Sequence, residues 1–167
     1  MLRDPALVPL SHQHQHALAL CVRIGKAFEQ SGETPDVHPW ELEIVKQFDE
    51  EIAFHFLAEE KHLFPLASQF EELWTLIDEL RIEHTLLRRN VEKARARNFT
   101  VTDLQVFTAS LSEHIHKEER QLFESLQRLL PADQLKSAGS AVASFLQQNG
   151  AISATPDFPA KASDTGT

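Results

Sequence analysis

A histidine followed four residues later by a glutamate occurs twice in the 167-residue chain, as His55-x3-Glu59 and again as His114-x3-Glu118. Residues four apart lie on one face of an α-helix, so each pair predicts an imidazole and a carboxylate side by side. Together these groups suit iron, zinc or manganese. Two such helix faces that meet would surround a pair of metal ions.

The repeat extends to the segments that precede each pair. At the same offset, apolar residues match apolar residues: Val45 with Leu104, Phe48 with Phe107 and Ile52 with Leu111. A looser match aligns His14 with His84, each on an apolar stripe of its own. We therefore interpret the chain as two copies of one helix pair, in which each copy supplies one further histidine.

Six polar residues interrupt these otherwise apolar stripes: His14, His55, Glu59, His84, His114 and Glu118. A single histidine on such a stripe is more often a core residue than a ligand. A buried carboxylate without a partner, however, costs several kcal/mol or becomes protonated. Burial of the whole set becomes reasonable if its members share the charge of two metal cations. We predict that these six side chains are metal ligands and that they leave coordination positions open.

The spacing of apolar residues predicts five helices. The first begins near Leu10, with Ser11 as its cap, and ends at Ser31-Gly32. The second begins after His38-Pro39, and Pro65 bends or ends it. The third runs from about Phe70 to Asn98, the fourth from a cap of Thr100 or Thr102 to Pro131, and a weaker fifth from about Asp133 to Gln148.

The expected fold class is all-α. Short loops between long amphipathic helices favour an up-down-up-down antiparallel four-helix bundle with a short extra C-terminal helix. We predict one helical domain over residues 1–149 and a disordered tail over 150–167, where Ala, Ser, Thr and Pro dominate.

The composition limits the classes of partner and site. The formal net charge of −9 disfavours nucleic acid and anionic membranes, which attract an excess of Lys and Arg. Cys21 is the only cysteine, so no intramolecular disulfide and no multi-thiolate metal site is possible. Tyrosine is absent, which excludes a tyrosyl ligand or radical. No signal peptide and no membrane-spanning run is evident, and a cytoplasmic protein is expected.

These motifs resemble the hemerythrin-like family, also called the HHE cation-binding domain. The resemblance covers about Leu7 to Leu130 and rests on four ordered motifs: Leu10-Ser-His-Gln-His14, His55-x3-Glu59, Glu83-His84 and His114-x3-Glu118. It implies a four-helix bundle around a non-haem di-iron centre, with two Fe ions joined by an oxo or hydroxo bridge and with Zn or Mn as substitutes. It also implies that Glu59 and Glu118 are the bridging carboxylates.

The chain departs from the oxygen carriers of that family at two positions. Those proteins have a second histidine on the third helix, where this chain has Arg88, and an aspartate on the fourth helix, where it has Glu119. One ligand fewer leaves one iron more open. The departure therefore favours a reactive or sensing centre over stable oxygen carriage.

Several other residues compete for these roles. On the first helix we prefer His14 to His12 and His16, because His14 keeps Leu10, Leu18 and Cys21 on the core face. Glu60 and Glu119 are expected to be exposed or to hydrogen-bond a ligand histidine, in preference to binding metal themselves. His62 is expected at the rim of the site rather than as an extra ligand, and His116 on a polar face. Cys21 is expected to be an inert buried thiol.

The expected function is a non-haem di-iron protein that binds, senses or reacts with O2, NO or peroxide, or handles iron under such stress. Whether it is an enzyme stays open, and a monomer or a homodimer is expected. One alternative hypothesis is a metal-stabilised interaction or iron-sensing module without redox turnover. Another is a ferritin-like di-iron oxidase, which uses Glu-x2-His pairs. Here the pairs Glu59-x2-His62 and Glu113-x2-His116 are out of register in the repeat, so we disfavour it.

Overall fold

The computed structural model describes residues 2–30 and 36–149, and within these ranges it contains helices and turns but no strand. The all-α fold class is confirmed. The predicted tail at 150–167 and the predicted first-helix end at Ser31-Gly32 lie outside the described residues. No helix within the described ranges is long and apolar enough to cross a membrane.

Five helical runs follow one another along the chain. Helix α1 is Val8–Gln30. Helix α2 is a continuous run over 38–67, in which the α-helical segments His38–Gln47, Ala53–Ala58 and Phe64–Ala67 alternate with the π-helical turns Phe48–Ile52 and Glu59–Leu63. A 3-10 turn, Glu71–Leu73, leads into α3, Trp74–Arg95. Helix α4 covers 101–129 as Val101–Lys117, the π-turn Glu118–Leu122 and Phe123–Leu129, and α5 is Ala132–Asn149.

The predicted start of α1 was wrong. The helix begins at Val8, and the turn before it is held by Asp4, whose Oδ1 accepts the N–H of Ala6 at 2.9 Å. Ser11 lies inside the helix, where its N–H donates to the carbonyl of Leu7. Its hydroxyl is therefore free to donate elsewhere, and it donates to Glu119.

The predicted starts of α2 and α4 are confirmed, whereas α3 begins at Trp74 rather than at about Phe70, because a 3-10 turn precedes it. Pro39 lies in the first turn of α2, where a missing N–H costs nothing. Of the two candidate threonines before α4, Thr100 is the cap: it forms a capping box with Asp103, in which each side chain accepts a backbone N–H of the other residue.

Two apolar clusters divide the interior, and the six polar residues lie between them. One cluster contains Leu10, Leu63, Leu80 and Leu122, and the other contains Ala17, Ile52, Leu87 and Leu111. Along each of α1 to α4, the predicted ligands fall between members of the two clusters. The helices therefore bring these polar side chains to one level of the fold.

Between neighbouring helices, residues further along one helix contact residues earlier in the next. From α1 to α2, His16 contacts Glu51, and further along α1 Arg23 contacts Glu43, which lies earlier in α2. Between α2 and α3, Asp49 contacts Arg95, and the later Glu60 contacts the earlier His84. Between α3 and α4, Glu79 contacts Lys117, and the later Lys93 contacts the earlier Asp103.

Helix α5 lies where the fifth helix was predicted, within one residue at each end, and with 18 residues it is a full helix of the fold rather than a short addition. Its residues Leu135, Val142 and Leu146 are buried in the cluster that contains Leu10. At Gly139 the backbone of the N-terminal segment comes so close that an added Cβ would lie 2.6 Å from the Cα of Ala6. Glycine at this position is what allows the segment to pack on α5.

Gly139→Ala is therefore expected to destabilise the protein, by roughly 1–3 kcal/mol, as overpacked interiors do. Thermal denaturation measures the change. The matched control is Gly25→Ala in α1, where an added Cβ meets nothing within 4 Å and where alanine should stabilise the helix by roughly 0.5–1 kcal/mol. Equal effects of the two substitutions would contradict the close approach at Gly139.

Candidate metal centre

The six predicted ligand residues converge in one buried cluster, which we call the centre: His14, His55, Glu59, His84, His114 and Glu118. None is more than 3% exposed. Helix α1 supplies one member, α2 two, α3 one and α4 two. The prediction that these residues lie together is confirmed, and their role as ligands is taken up below.

Each glutamate of the centre contacts histidines from both halves of the repeat. Glu118 Oε2 lies 3.0 Å from His14 Nε2, and Glu118 Oε1 lies 3.1 Å from His114 Nε2 and 3.5 Å from His84 Nε2. Glu59 lies 3.5 Å from Nε2 of both His55 and His84, through one oxygen each. The two carboxylates therefore occupy the middle of the cluster and the imidazoles surround them.

The cluster separates into two groups of possible ligands. In each group the ligand atoms lie within 4.8 Å of one another: His14, His55, Glu59 and Glu118 form one, and Glu59, His84, His114 and Glu118 form the other. Both glutamates belong to both groups. Each group thus offers two imidazole nitrogens and shares two carboxylates with the other.

Every histidine of the centre is oriented by a partner on its outer nitrogen, Nδ1. The partners and distances are Glu119 for His14 at 2.7 Å, Gln13 for His55 at 3.0 Å, Glu60 for His84 at 2.8 Å and Glu83 for His114 at 2.8 Å. An acceptor at Nδ1 holds the proton there and leaves the lone pair of Nε2 directed inward, which is how metal-binding histidines are usually fixed. Of the alternatives open for Glu60 and Glu119, each hydrogen-bonds a histidine of the centre.

Three of these outer partners each form an ion pair with a basic side chain. Arg3 binds Glu119 at 2.5 Å, Arg88 binds Glu60 at 2.8 Å and Lys117 binds Glu83. Arg88 thus has a place in the site: it holds the partner of His84, and its guanidinium lies 5.4 Å from the centre of the Phe56 ring.

Two outer partners, Gln13 and Glu83, escaped the sequence analysis as functional residues. Each directly precedes a ligand histidine in the chain, but each bonds a histidine of another helix. Which pairs meet depends on how the helices face one another. The signal in the sequence was the place of these two residues within the motifs Leu10-Ser-His-Gln-His14 and Glu83-His84, to which no role was assigned.

A second feature that escaped prediction is the pair of π-turns at the centre. They begin at Glu59 and at Glu118, at equivalent places in the repeat. Single π-turns within α-helices occur frequently at functional sites. The wider turn lets two adjacent residues both face the core, as do Leu63-Phe64 and Leu122-Phe123, all fully buried. Those adjacent apolar pairs were the available signal.

The glutamates favour the protonated forms of His14, His84 and His114 in the metal-free protein, because they raise the pKa of each. Burial by itself lowers the pKa of His14, but the adjacent carboxylates of Glu118 and Glu119 outweigh it and raise the pKa to about 9. At His84, burial is likewise outweighed by Glu118, Glu59 and Glu60, and the pKa rises to about 10. A metal cation at the centre would take the place of these protons.

The stability of the metal-free protein should therefore fall at alkaline pH. Because the pKa values of His14 and His84 lie above the ordinary 6.5, their stabilisation is complete below about pH 6.5 and is lost as pH rises towards 9 and 10. We expect the free energy of unfolding in urea, measured with chelator present, to decline across this window. A value that stays constant or rises from pH 6.5 to 9 would contradict the arrangement.

Several buried atoms of the centre make only the close contacts given above and no hydrogen bond of good geometry: both carboxylate oxygens of Glu59 and of Glu118, and Nε2 of His84 and His114. A third buried carboxylate shows the contrast, since Glu41 accepts the N–H of Phe99 at 2.8 Å and contacts His38 at 2.9 Å. Unpaired buried polar atoms are costly, and a cation would pair these. The donor set of imidazole nitrogen and carboxylate oxygen fits iron, zinc or manganese.

A family model supports the same conclusion. The model described as the hemerythrin HHE cation-binding domain matches residues 7–126. The chain belongs to this family. No curated protein and no solved structure matches it. For a hemerythrin HHE domain, metal binding is implied by the family, and here the buried cluster supplies the residues for it.

The competing residues of this HHE domain lie outside the centre. His12 and His116 are exposed, and His16 binds Glu51 at the surface. His62 is partly buried beside Phe145, with ring centres 5.7 Å apart, and belongs to neither ligand group. Of the ferritin-like pairs, Glu113-x2-His116 is exposed on both residues and cannot reach the centre.

Cys21 is buried, as expected. Burial raises the pKa of its thiol, which keeps it in the less reactive protonated form.

Proposed function

We propose that this HHE domain binds a pair of iron ions and that the pair binds, senses or reacts with O2, NO or peroxide. The observation that carries the proposal is the sharing of both Glu59 and Glu118 between two ligand groups. A single ion would occupy only one of the two ligand groups and would leave the imidazoles of the other group without a metal.

The proposed roles follow the two groups. His14 and His55 would hold one ion and His84 and His114 the other, with Glu59 and Glu118 bridging them. Four protein ligands for each ion leave coordination positions open. A pair of ferrous ions with open positions supplies both a binding place and electrons to a small ligand. Zinc or manganese fits the same donors, so the metal content of the purified protein is part of the test.

A small cavity beside the centre supports a diatomic or triatomic ligand over an organic one. Its volume is about 10 Å³, close to the least that holds one water molecule. Its walls are parts of the centre, Gln13 and five apolar residues: Ala17, Ile52, Phe56, Leu111 and Ile115. The apolar walls limit entry of water, and the small volume favours a ligand of a few atoms.

We further propose that α1 to α4 form an up-down-up-down antiparallel bundle, with α5 added outside. The opposite directions of the helix contacts described above support it. The centre supports it too: all four helices contribute side chains to it, so each helix must run past the same point in the interior.

Anaerobic loading with Fe(II), followed by air, tests the proposal. We expect about two iron ions per chain and a near-ultraviolet absorption of oxo-bridged ferric iron after exposure. Nitric oxide added before air should give a separate visible spectrum. Iron bound at well under two per chain, together with no absorption change in air or NO, would refute it.

A second function is favoured by the position of the centre, which joins all four helices through buried side chains. In that alternative the metal holds the fold together and reports iron level, without redox turnover. Metal removal would then unfold the protein, while O2 and NO would leave the spectrum of the loaded protein unchanged. Handling of iron under stress, a cytoplasmic location and a monomeric or homodimeric state stay predictions.

A further inference from the structure

One of the four outer partners differs chemically from the others. Glu119, Glu60 and Glu83 are carboxylates that can only accept hydrogen bonds, and each is tied to a cation. Gln13 is neutral and carries both a carbonyl oxygen and an NH2 group. The histidine that it orients, His55, is thus the only one in the centre without a carboxylate behind it.

The contact with His55 fixes the orientation of the amide. If Nε2 of His55 faces the centre as a ligand, then Nδ1 carries the proton and donates it to Gln13 Oε1 at 3.0 Å. The NH2 group must then point away from His55. No acceptor among residues 2–30 and 36–149 is recorded for it, so two N–H donors stay available.

Gln13 also lines the small cavity beside the centre. The five apolar residues of that wall offer no hydrogen bond, and the Nε2 atoms and carboxylate of the lining residues of the centre would hold the metal. The amide is therefore the one neutral donor that the cavity wall provides. It is only partly buried, so it lies where the cavity approaches solvent.

We propose that Gln13 is a positioning residue with two tasks. Its carbonyl oxygen orients His55, and its NH2 group donates a hydrogen bond to the small ligand in the cavity. The second task selects ligands that accept a hydrogen bond, such as bound NO or an oxygen species, over those that do not. This inference rests on the proposed function, because it assumes a loaded centre that binds such a ligand.

Two substitutions separate the tasks. Gln13→Glu keeps an oxygen for His55 and loses the donor, whereas Gln13→Met removes both groups at similar size. Gln15→Glu is the control, since Gln15 is exposed on the same helix and receives the same charge. The probe is nitric oxide, which is diatomic and uncharged, so the charge of Gln13→Glu does not repel it.

The first readout is the rate of NO release from the anaerobic Fe(II) protein, followed by visible absorbance. Loss of one hydrogen bond predicts release about 10-fold faster in both Gln13 variants and unchanged in Gln15→Glu. The second readout is the Nδ1–H signal of His55 in nitrogen-15 NMR of the zinc-loaded protein. It should persist in Gln13→Glu and disappear or exchange rapidly in Gln13→Met.

The outcomes are distinct. NO release at the wild-type rate in Gln13→Glu overturns the donor task, and a protected Nδ1–H in Gln13→Met overturns the positioning task. In both cases the wild type would still load metal and bind NO, so the proposed function would stand. Wild-type protein that loads iron but binds no NO would overturn this inference alone. Wild-type protein that binds iron at well under two per chain and changes in neither air nor NO would refute the proposed function and this inference with it.

Discussion

Replacing Glu118 with glutamine is expected to abolish stable metal loading. Its carboxylate contacts three histidines of the centre, His14, His84 and His114, and under our proposal it bridges both ions. Even a residue that only orients a ligand is worth roughly 10–100-fold in metal affinity, so a bridging ligand should cost more than about 100-fold. Elemental analysis after Fe(II) loading and desalting measures the loss.

The matched control is Glu113→Gln on the same helix. Glu113 is exposed and lies outside both ligand groups, so its variant should load metal as the wild type does. A Glu118→Gln protein that retains the wild-type metal content would show that Glu118 is not a ligand.

Removal of the metal is expected to lower the melting temperature by about 10 °C. At a free metal concentration about 1,000 times the dissociation constant, one site stabilises the folded state by roughly 4 kcal/mol. For a chain of this size each kcal/mol corresponds to roughly 2–4 °C. Calorimetry of loaded and chelator-treated protein gives the difference.

The Glu118→Gln variant is the internal control for that experiment. Because it should bind no metal, it should melt at the same temperature with and without Fe(II). If the loaded and metal-free wild type melt together, the centre does not couple metal binding to the folded state. Metal-free wild type that does not fold would instead favour the metal-stabilised module.

The centre could be predicted from the sequence because each of its members breaks an apolar stripe. Glu59 and Glu118 repeat at the same distance from a histidine, and the cost of burying them unpaired required a counter-charge. His14 was preferred to His16 for the same reason, since only His14 leaves the core face apolar. These are properties of single helices, which a sequence records directly.

What the sequence did not predict depends on contacts between helices. The pairing of Gln13 with His55 and of Glu83 with His114 follows from which helix faces which. Ser11 resembles a cap, but Asp4 holds the turn and Ser11 donates to Glu119 instead. Gly139 permits the close approach of the N-terminal segment, a contact that exists only once α5 has packed against that segment. None of these is encoded in a local pattern.

The number of iron ions per chain tests the central claim most directly. The protein is loaded anaerobically with excess Fe(II), desalted, and assayed for iron and protein concentration together. Our account predicts two ions per chain in the wild type, because two sets of imidazoles share Glu59 and Glu118. One ion or fewer per chain, in protein that is folded and fully loaded, would contradict it.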